Sequence, residues 1–319
     1  MNSFGKNIKF QIFGESHGHS IGGILDGIPS GLEIDFDLIK SNLAKRRCNA
    51  FGTTTRKEPD EISFLSGVKD GFTTGTPIAF ALPNKLHQPS DYHFEVTPRP
   101  GHSDFTQIAK YGKFADISGG GHSSGRLTTP LIVAGSIAQM LMPEITFSAK
   151  IEEIGGTQNW DELLRATTDA GDSLGGIVSC TISVIPAGKG EPFFYSIESA
   201  LSAMMFSIPG VKGIEFGAGF ASARMKGSDY NDIITDKSGT TQTNNTAGIS
   251  GGISNGNDIH FRVAFRPTSS IGKSQKTVNL QTNEITEIKV QGRHDVCFAL
   301  RTPVILESAA ALVILDLLS

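Results

Sequence analysis

FGESHGHSIGGILDGIPSG, residues 13–31, separates two architectures. The residues before its turn, 7–13 (NIKFQIF), alternate and predict a strand. Gly14, Ser16 and Gly18 then spell G-x-S-x-G, the turn that in α/β-hydrolases joins a strand to a helix and exposes a nucleophilic serine. A helix is disfavoured here, because residues 19–31 hold four glycines and a proline. Residues 21–28 (IGGILDGI) predict a second strand instead, ended by Pro29-Ser30-Gly31. The hydrolase reading fails on that point. His17 and His19 also spell H-x-H, but no carboxylate or cysteine stands at a supporting spacing, and no metal is expected.

Outward from this stretch, strands and helices mix without regular β-α alternation. Asp35 to Arg47 has helical spacing with Asp35 as N-cap. Residues 49–60 read as a polar loop, 61–68 and 77–82 as strands, and 84–104 as irregular. Residues 130–142 predict a buried helix with Pro130 in its first turn. A strand is predicted over 176–185, then a helix from Ser196 to Phe206 opened by a capping pair, Ser196 and Ser199. Residues 211–216 and 258–265 read as strands. The last segment, 303–318 (PVILESAAALVILDLL), is a helix apolar nearly all round, and therefore buried. The expectation is an α+β fold with antiparallel sheets, not a doubly wound one. With no linker in the sequence, a single domain over 1–319 is expected, with 236–247 (DKSGTTQTNNTA) as a mobile loop.

Composition narrows the partners. Hydrophobic residues make up 38% and mean hydropathy is −0.08, as in soluble globular chains. No run approaches the ~20 apolar residues of a membrane span, and the N-terminus has no apolar signal region. A net charge of −4 gives no reason to expect nucleic acid. Cys48, Cys180 and Cys297 are too scattered for a disulfide framework and suit a reducing cytoplasm. Glycine is the outlier, with 37 residues against a usual ~7%. That points to tight turns and backbone brought close to a ligand.

Two nucleotide-binding patterns are incomplete. Gly272-Lys273-Ser274 has Pro267 where a P-loop needs its first glycine, and Gly217 to Ser222 ends in serine where a dinucleotide fingerprint needs glycine. Five other loops share one chemistry: GESHG (14–18), RPGHSD (99–104), GGGHSSGR (119–126), RPTSSIGKS (266–274) and GRHD (292–295). Glycine lets backbone N–H groups approach an anion, and Ser, Thr and Arg complete its coordination. Five such loops in a mildly acidic chain predict a local positive pocket for a multiply charged small molecule.

In order and along nearly the whole chain, these loops resemble chorismate synthases. The matching segments are Gly14–Gly18, Arg99–Asp104, Lys110–Gly112, Gly119–Thr128, Gly213–Phe220, Asn244–Ser254, Arg266–Ile271 and Gly292–Cys297, with 172–178 and 207–217 also similar. The resemblance implies a β-α-β sandwich with antiparallel sheets inside and helices outside, assembled as a homotetramer. It implies the conversion of 5-enolpyruvylshikimate 3-phosphate to chorismate and phosphate, a 1,4-elimination without net redox change that depends on reduced FMN. NADPH is the implied reductant where one is used.

The same resemblance assigns residues. His17 protonates the departing phosphate, and His102 keeps the reduced flavin suitably protonated. Ser16, Ser124 and Asp295 form a proton relay. Flavin contacts fall on His122, Ser123, Ser124, Gly251, Arg266, Pro267, Thr268, Ser269, Ser270 and Arg293. Arg46, Arg47, Arg126 and Arg293 hold substrate anions or, for Arg46, a reduced nicotinamide. Plainer readings stand beside some of these: Asp295 as a turn cap or partner of His294, Ser16 as a structural hydrogen bond, and Arg46 and Arg47 as cations favoured at a helix C-terminus.

The chain departs from the family pattern at several cations. Ala115, Ser118 and His122 stand where arginines are usual, and another family arginine falls near Phe51. Lys57, Lys113 and His122 are the candidates to replace them. A diverged paralogue that binds flavin or a phosphorylated ligand without the elimination is the alternative function.

Overall fold

A computed structural model describes residues 2–47, 50–54, 58–85, 94–290, 292 and 294–319. Cys48, Lys57 and Arg293 fall outside the described residues. The opening stretch forms β1 (Ser3–Phe4), β2 (Lys9–Gly14) and β3 (Ser20–Asp26). β2 and β3 pair antiparallel with Gly14 opposite Ile21, so a strand begins where a hydrolase requires a helix. β4 (Ser63–Ser66), a short ribbon of β5 (Val68–Lys69) and β6 (Phe72–Thr73), and β7 (Ile78–Pro83) follow. The first sheet runs β1-β2-β3-β7-β4, antiparallel throughout.

The second sheet draws on β8 (Thr146–Ile154), β9 (Gly176–Ser183) and β10 (Val211–Phe216). A ribbon of β11 (Ile249–Ser250) and β12 (Ile253–Ser254) precedes its last strand, β13 (Ile259–Phe265). Its order is β10-β13-β9-β8, again antiparallel. β14 (Ser274–Val278) and β15 (Ile285–Lys289) make a separate hairpin. β8 escapes sequence reading because Lys150, Glu152 and Glu153 interrupt its apolar pattern.

Helices α1 (Phe36–Arg47), α2 (Asp104–Tyr111), α3 (Thr128–Met140), α4 (Asp161–Asp169), α5 (Ile197–Ser207), α6 (Gly227–Tyr230) and α7 (Pro303–Leu318) complete the fold. Asp35 caps α1 by accepting the N–H groups of Asp37 and Leu38, and Ser196 caps α5 by accepting that of Ser199.

The α+β class and the antiparallel sandwich match expectation, but the order of layers is the reverse of the one expected. α3 packs on β2 and β3, α7 packs on β8 and β9, and the two helices pack on each other. α1 touches both, and α5 lies between α7 and β10. α1, α3, α5 and α7 are therefore the middle layer and the sheets flank them. The reason is in the helices: Thr128 to Ala138 are all buried, as is nearly all of α7. A helix apolar on every side cannot be an outer layer. Gly135 permits the closest approach, since a Cβ there would meet the backbone of Ser308 at 2.4 Å.

The segment 236–247 is tied by its own hydrogen bonds. Asp232 accepts hydrogen bonds from Thr243, from the N–H of Asn245 and from Thr246, and Asp236 binds Ser238 and the N–H of Thr240. Its polar composition serves local turns.

Candidate active site

α3 and α7 both begin, and α1 ends, at one edge of the helical layer. There a cavity of about 250 Å³ opens, lined by parts of every loop group singled out in the sequence. It brings together His17, Arg46, Arg47, His102, Ser123, Ser124, Arg126, Arg266, Pro267, Thr268, Ser269, Ser270 and Asp295. Among the described lining residues six arginines face three carboxylates, Glu58, Asp60 and Asp295. The starts of α3 and α7 add partial positive charge. The described lining carries an excess of positive charge, although Arg99, Arg126 and Arg301 are each paired with an aspartate.

One wall is the glycine triplet Gly119-Gly120-Gly121, with φ of 60°, 104° and 53°. These left-handed values favour glycine, and the space does too. A Cβ on Gly119 would stand 2.0 Å from Cε1 of His17, and one on Gly121 would stand 1.9 Å from the Asp116 carbonyl oxygen. A Cβ on Gly120 would lie 3.5 Å from Nε2 of His102. The triplet thus runs between the two histidines. Ser16 N–H donates to the Gly121 carbonyl at 3.1 Å, and Gln107 holds the Gly120 carbonyl at 3.3 Å.

Ser16 is buried behind His17, its Oγ 2.8 Å from Nδ1 and 3.3 Å from the Ser118 carbonyl. It lies outside the cavity lining and touches His17, the plainer of its two expected roles. His19 is exposed, and its carbonyl accepts Asn84 N–H.

His102 stands on a buried base. Arg99 forks onto Asp104, with Nε to Oδ2 and Nη2 to Oδ1 both at 2.8 Å, and His102 Nδ1 is 2.6 Å from Oδ1. Burial by itself would raise the Asp104 carboxyl. The hydrogen bonds from Arg99 and His102 prevail and hold it well below the usual carboxylate range. Burial pushes His102 below the usual imidazole value, against the opposing pull of Asp104.

The arginines are braced. Arg46 donates from Nε to Thr128 Oγ1 at 2.9 Å and from Nη2 to the Gly125 carbonyl at 2.8 Å. Burial, then repulsion from Arg126 and Arg301, pushes it down to about 9, partly offset by Asp60 and Asp295. Arg126 forms a buried ion pair with Asp60 and also reaches Asn84. Its Nη2 is buried without a hydrogen-bond partner, as is the Thr268 hydroxyl. Asp295 accepts from Arg301 Nε at 2.9 Å and from Thr54 N–H at 2.7 Å. Ser124 turns back to accept Arg126 N–H at 3.3 Å. The 266–271 loop is held by Ser173, which donates to the Thr268 carbonyl at 2.6 Å; this gives the 172–178 segment its part.

A second cavity of about 630 Å³ adjoins the first and shares His102, Ser123, Pro209, Gly210 and Arg266 with it. Apolar side chains line much of it, among them Phe4, Phe10, Leu131, Met204 and Phe206. His122 lies here, with Nδ1 2.8 Å from the Gly14 carbonyl. Gly251 lines neither cavity of its own chain, because its ribbon packs against the 188–197 segment through Gly188, Lys189 and Ile197. Lys113 lines neither cavity and sits over the exposed Phe114 ring. Arg165 covers Phe51 at 4.9 Å.

Sequence reading gave no role to Arg99, Asp104, Asp60 or Arg301. The first two lie inside the RPGHSD segment already noted. Arg301 sits alone in a turn before α7 and carries no motif signal.

Comparisons with known proteins place the chain in a family. The chorismate synthase family profile matches residues 8–318. A chorismate synthase of Chitinophaga pinensis is 48% identical over 99% of this chain and 96% of its own length. One from Christiangramia forsetii is 42% identical with the same coverage. A crystal structure of a chorismate synthase shares the fold at a TM-score of 0.76 and 24% identity, covering 99% of this chain and 92% of that one. The chain belongs to the chorismate synthase family.

Proposed function

We propose that this chain converts 5-enolpyruvylshikimate 3-phosphate to chorismate and inorganic phosphate. The observation that carries this reading is the single cavity where His17, His102 and six arginines converge from distant segments. The substrate brings two carboxylates and a phosphate. Arg46, Arg47, Arg126 and Arg301 offset that charge, and the partnerless Nη2 of Arg126 is a donor available to an anion. In the elimination the phosphate leaves with the C–O electron pair and a ring hydrogen is lost, with no net redox change. His17, braced by Ser16, gives a proton to the departing phosphate oxygen. Asp295 stays oriented by Arg301 and Thr54 and serves the hydrogen-loss side of the site.

The residues also fit reduced FMN. Ser123, Ser124, Arg266 and the 267–270 loop offer donors, Thr268 has an unpartnered hydroxyl, and the adjoining apolar cavity suits a flat ring. His122 borders that cavity in place of the family arginine. When bound, the flavin supplies an electron or hydrogen that side chains cannot. Arg293 and Gly251 remain proposed contacts, the latter toward a partner chain, since it lines neither cavity of its own chain. A homotetramer is part of the proposal, supported by exposed Phe193, Phe194 and Phe220. Cytoplasmic residence is part of it too, consistent with the free thiols of Cys180 and Cys297. Among the described residues no helix is long and apolar enough to cross a membrane.

The test is anaerobic: purified protein, reduced FMN and the enolpyruvyl substrate, with chorismate and phosphate measured together. Reduced FMN binding without either product would overturn the elimination in favour of a non-catalytic paralogue. NADPH with oxidised FMN in the same assay reads whether the chain reduces its own flavin. Sedimentation gives the oligomeric state.

A further inference from the structure

The His102 ring has two neighbours at one nitrogen. Nδ1 lies 2.6 Å from Asp104 Oδ1 and 3.1 Å from Arg99 Nη2. Both contacts cannot be hydrogen bonds at once, because an arginine only donates and an ionised carboxylate only accepts. Asp104 is fully buried and doubly bound by Arg99, which keeps it ionised. A lone pair on Nδ1 would then face a carboxylate oxygen at 2.6 Å, a repulsive contact. The proton must therefore lie on Nδ1, donated to Asp104. Nε2 lies on the other side of the ring, next to Gly120, and His102 lines both cavities.

We propose that Asp104, gripped by Arg99, is a positioning residue that fixes His102 as its Nδ1–H tautomer, so that Nε2 is the atom that exchanges a proton with the ligand. This rests on the functional reading above. Arg99 extends the device. Its Nη1 donates to Ser270 at 3.1 Å, so the same guanidinium ties the histidine's base to the 266–271 wall. Position and proton state of His102 are thereby set relative to that loop. The charges acting on the ring are Asp104, Arg99 and Arg266. Only Asp104 favours the protonated form. With the base intact, Asp104 opposes part of the lowering by burial; without it, burial and two arginines act unopposed.

The experiment uses full-length protein with ¹⁵N- and ¹³C-labelled histidine, read by NMR across pH. His102 is assigned from the signal lost in His102→Gln. Wild-type His102 is expected as the Nδ1–H tautomer. In Asp104→Asn the signal should move toward Nε2–H, the ring should titrate at lower pH, and chorismate formation should fall about 10²–10⁴-fold. Arg99→Lys, which keeps the charge and loses the fork, should give a partial shift in the same direction, and it carries the test if Asp104→Asn does not fold. Wild-type His102 found as Nε2–H, or an Asp104→Asn tautomer identical to wild type, would overturn the assignment. A shifted tautomer with an unchanged rate would overturn its link to the reaction. Wild-type protein that makes no chorismate yet shows the Nδ1–H ring would sink the functional reading and leave the clamp standing.

Discussion

Gly119→Ala puts one methyl group where the His17 ring lies. The new Cβ would stand 2.0 Å from Cε1 and 2.3 Å from Nδ1. Ordinary contact begins at 3.4 Å, so the ring must retreat by about 1.4 Å. That breaks the 2.8 Å contact with Ser16 and moves the proposed proton donor off its line. Misplacement of about 1 Å costs on the order of 10²-fold in rate, and full loss of a general acid costs 10²–10⁴. Holding alanine at φ 60° adds about 1–2 kcal/mol of strain. At about 2.1 cal/mol/K per residue, 319 residues unfold with an entropy near ~0.7 kcal/mol/K, so the melting temperature should fall by only about 2–3 °C. Gly156→Ala is the control: its φ is also positive, at 83°, and its Cβ would meet nothing within 4 Å. Both variants are compared by thermal melting and by anaerobic single-turnover chorismate formation. If Gly119→Ala loses no more rate than Gly156→Ala, the triplet is not a cradle for His17.

Asp60→Asn should destabilise by about 3–5 kcal/mol, because it leaves the buried Arg126 charge uncompensated; calorimetry reads this, and the double change Asp60→Asn with Arg126→Met, which keeps a residue tolerated at the φ of 53° there, should recover much of the stability but no activity. Because burial holds His102 below its unfolded value of 6.5, its contribution to stability is complete above that pH and is lost as pH falls through the lower folded value. Melting temperatures should therefore drop as pH falls below about 6.5, and less so in His102→Gln. Asp316→Ala removes the acceptor shared by the N–H groups of Lys6, Asn7 and Ile8, so hydrogen exchange at those amides should speed up, with a loss of about 1–3 kcal/mol. Since both sheets rest on one helical layer, denaturation is expected as one transition, with fluorescence and circular dichroism coincident.

Much of this was legible in the chain, for local reasons. The 13–31 stretch excludes a helix through its own glycines and proline, and the β2–β3 hairpin bears that out. The apolar run 303–318 also held the correct layer order: a helix with no polar face belongs in the middle, and placing helices outside ignored that. β8 was hidden because its outward face carries charges out of strict alternation. At the site, motif order named most of the lining residues, since each loop carries its own glycines and cations. The braces were hidden because they join segments far apart: Asp60 meets Arg126 across 66 positions, and Arg99 meets Ser270 across 171. Nothing in the local pattern around Arg301 marks it as the partner of Asp295. Ser16 was ambiguous in sequence, and its burial behind His17 favours the supporting role.

The cavity lies where the helical layer ends, with His17 hanging from the first sheet and the 266–271 loop from the second. A polyanion seated there bridges the two outer layers as a pin joins two plates. Its binding energy is then felt by the whole fold and not only by the loops it touches. At a ligand concentration about 100 times the dissociation constant, such a pin stabilises the folded chain by about 2.7 kcal/mol. Purified without substrate or flavin, the protein is thus expected to be the weaker form of itself, and resistance to heat or protease becomes a direct reading of how full the site is.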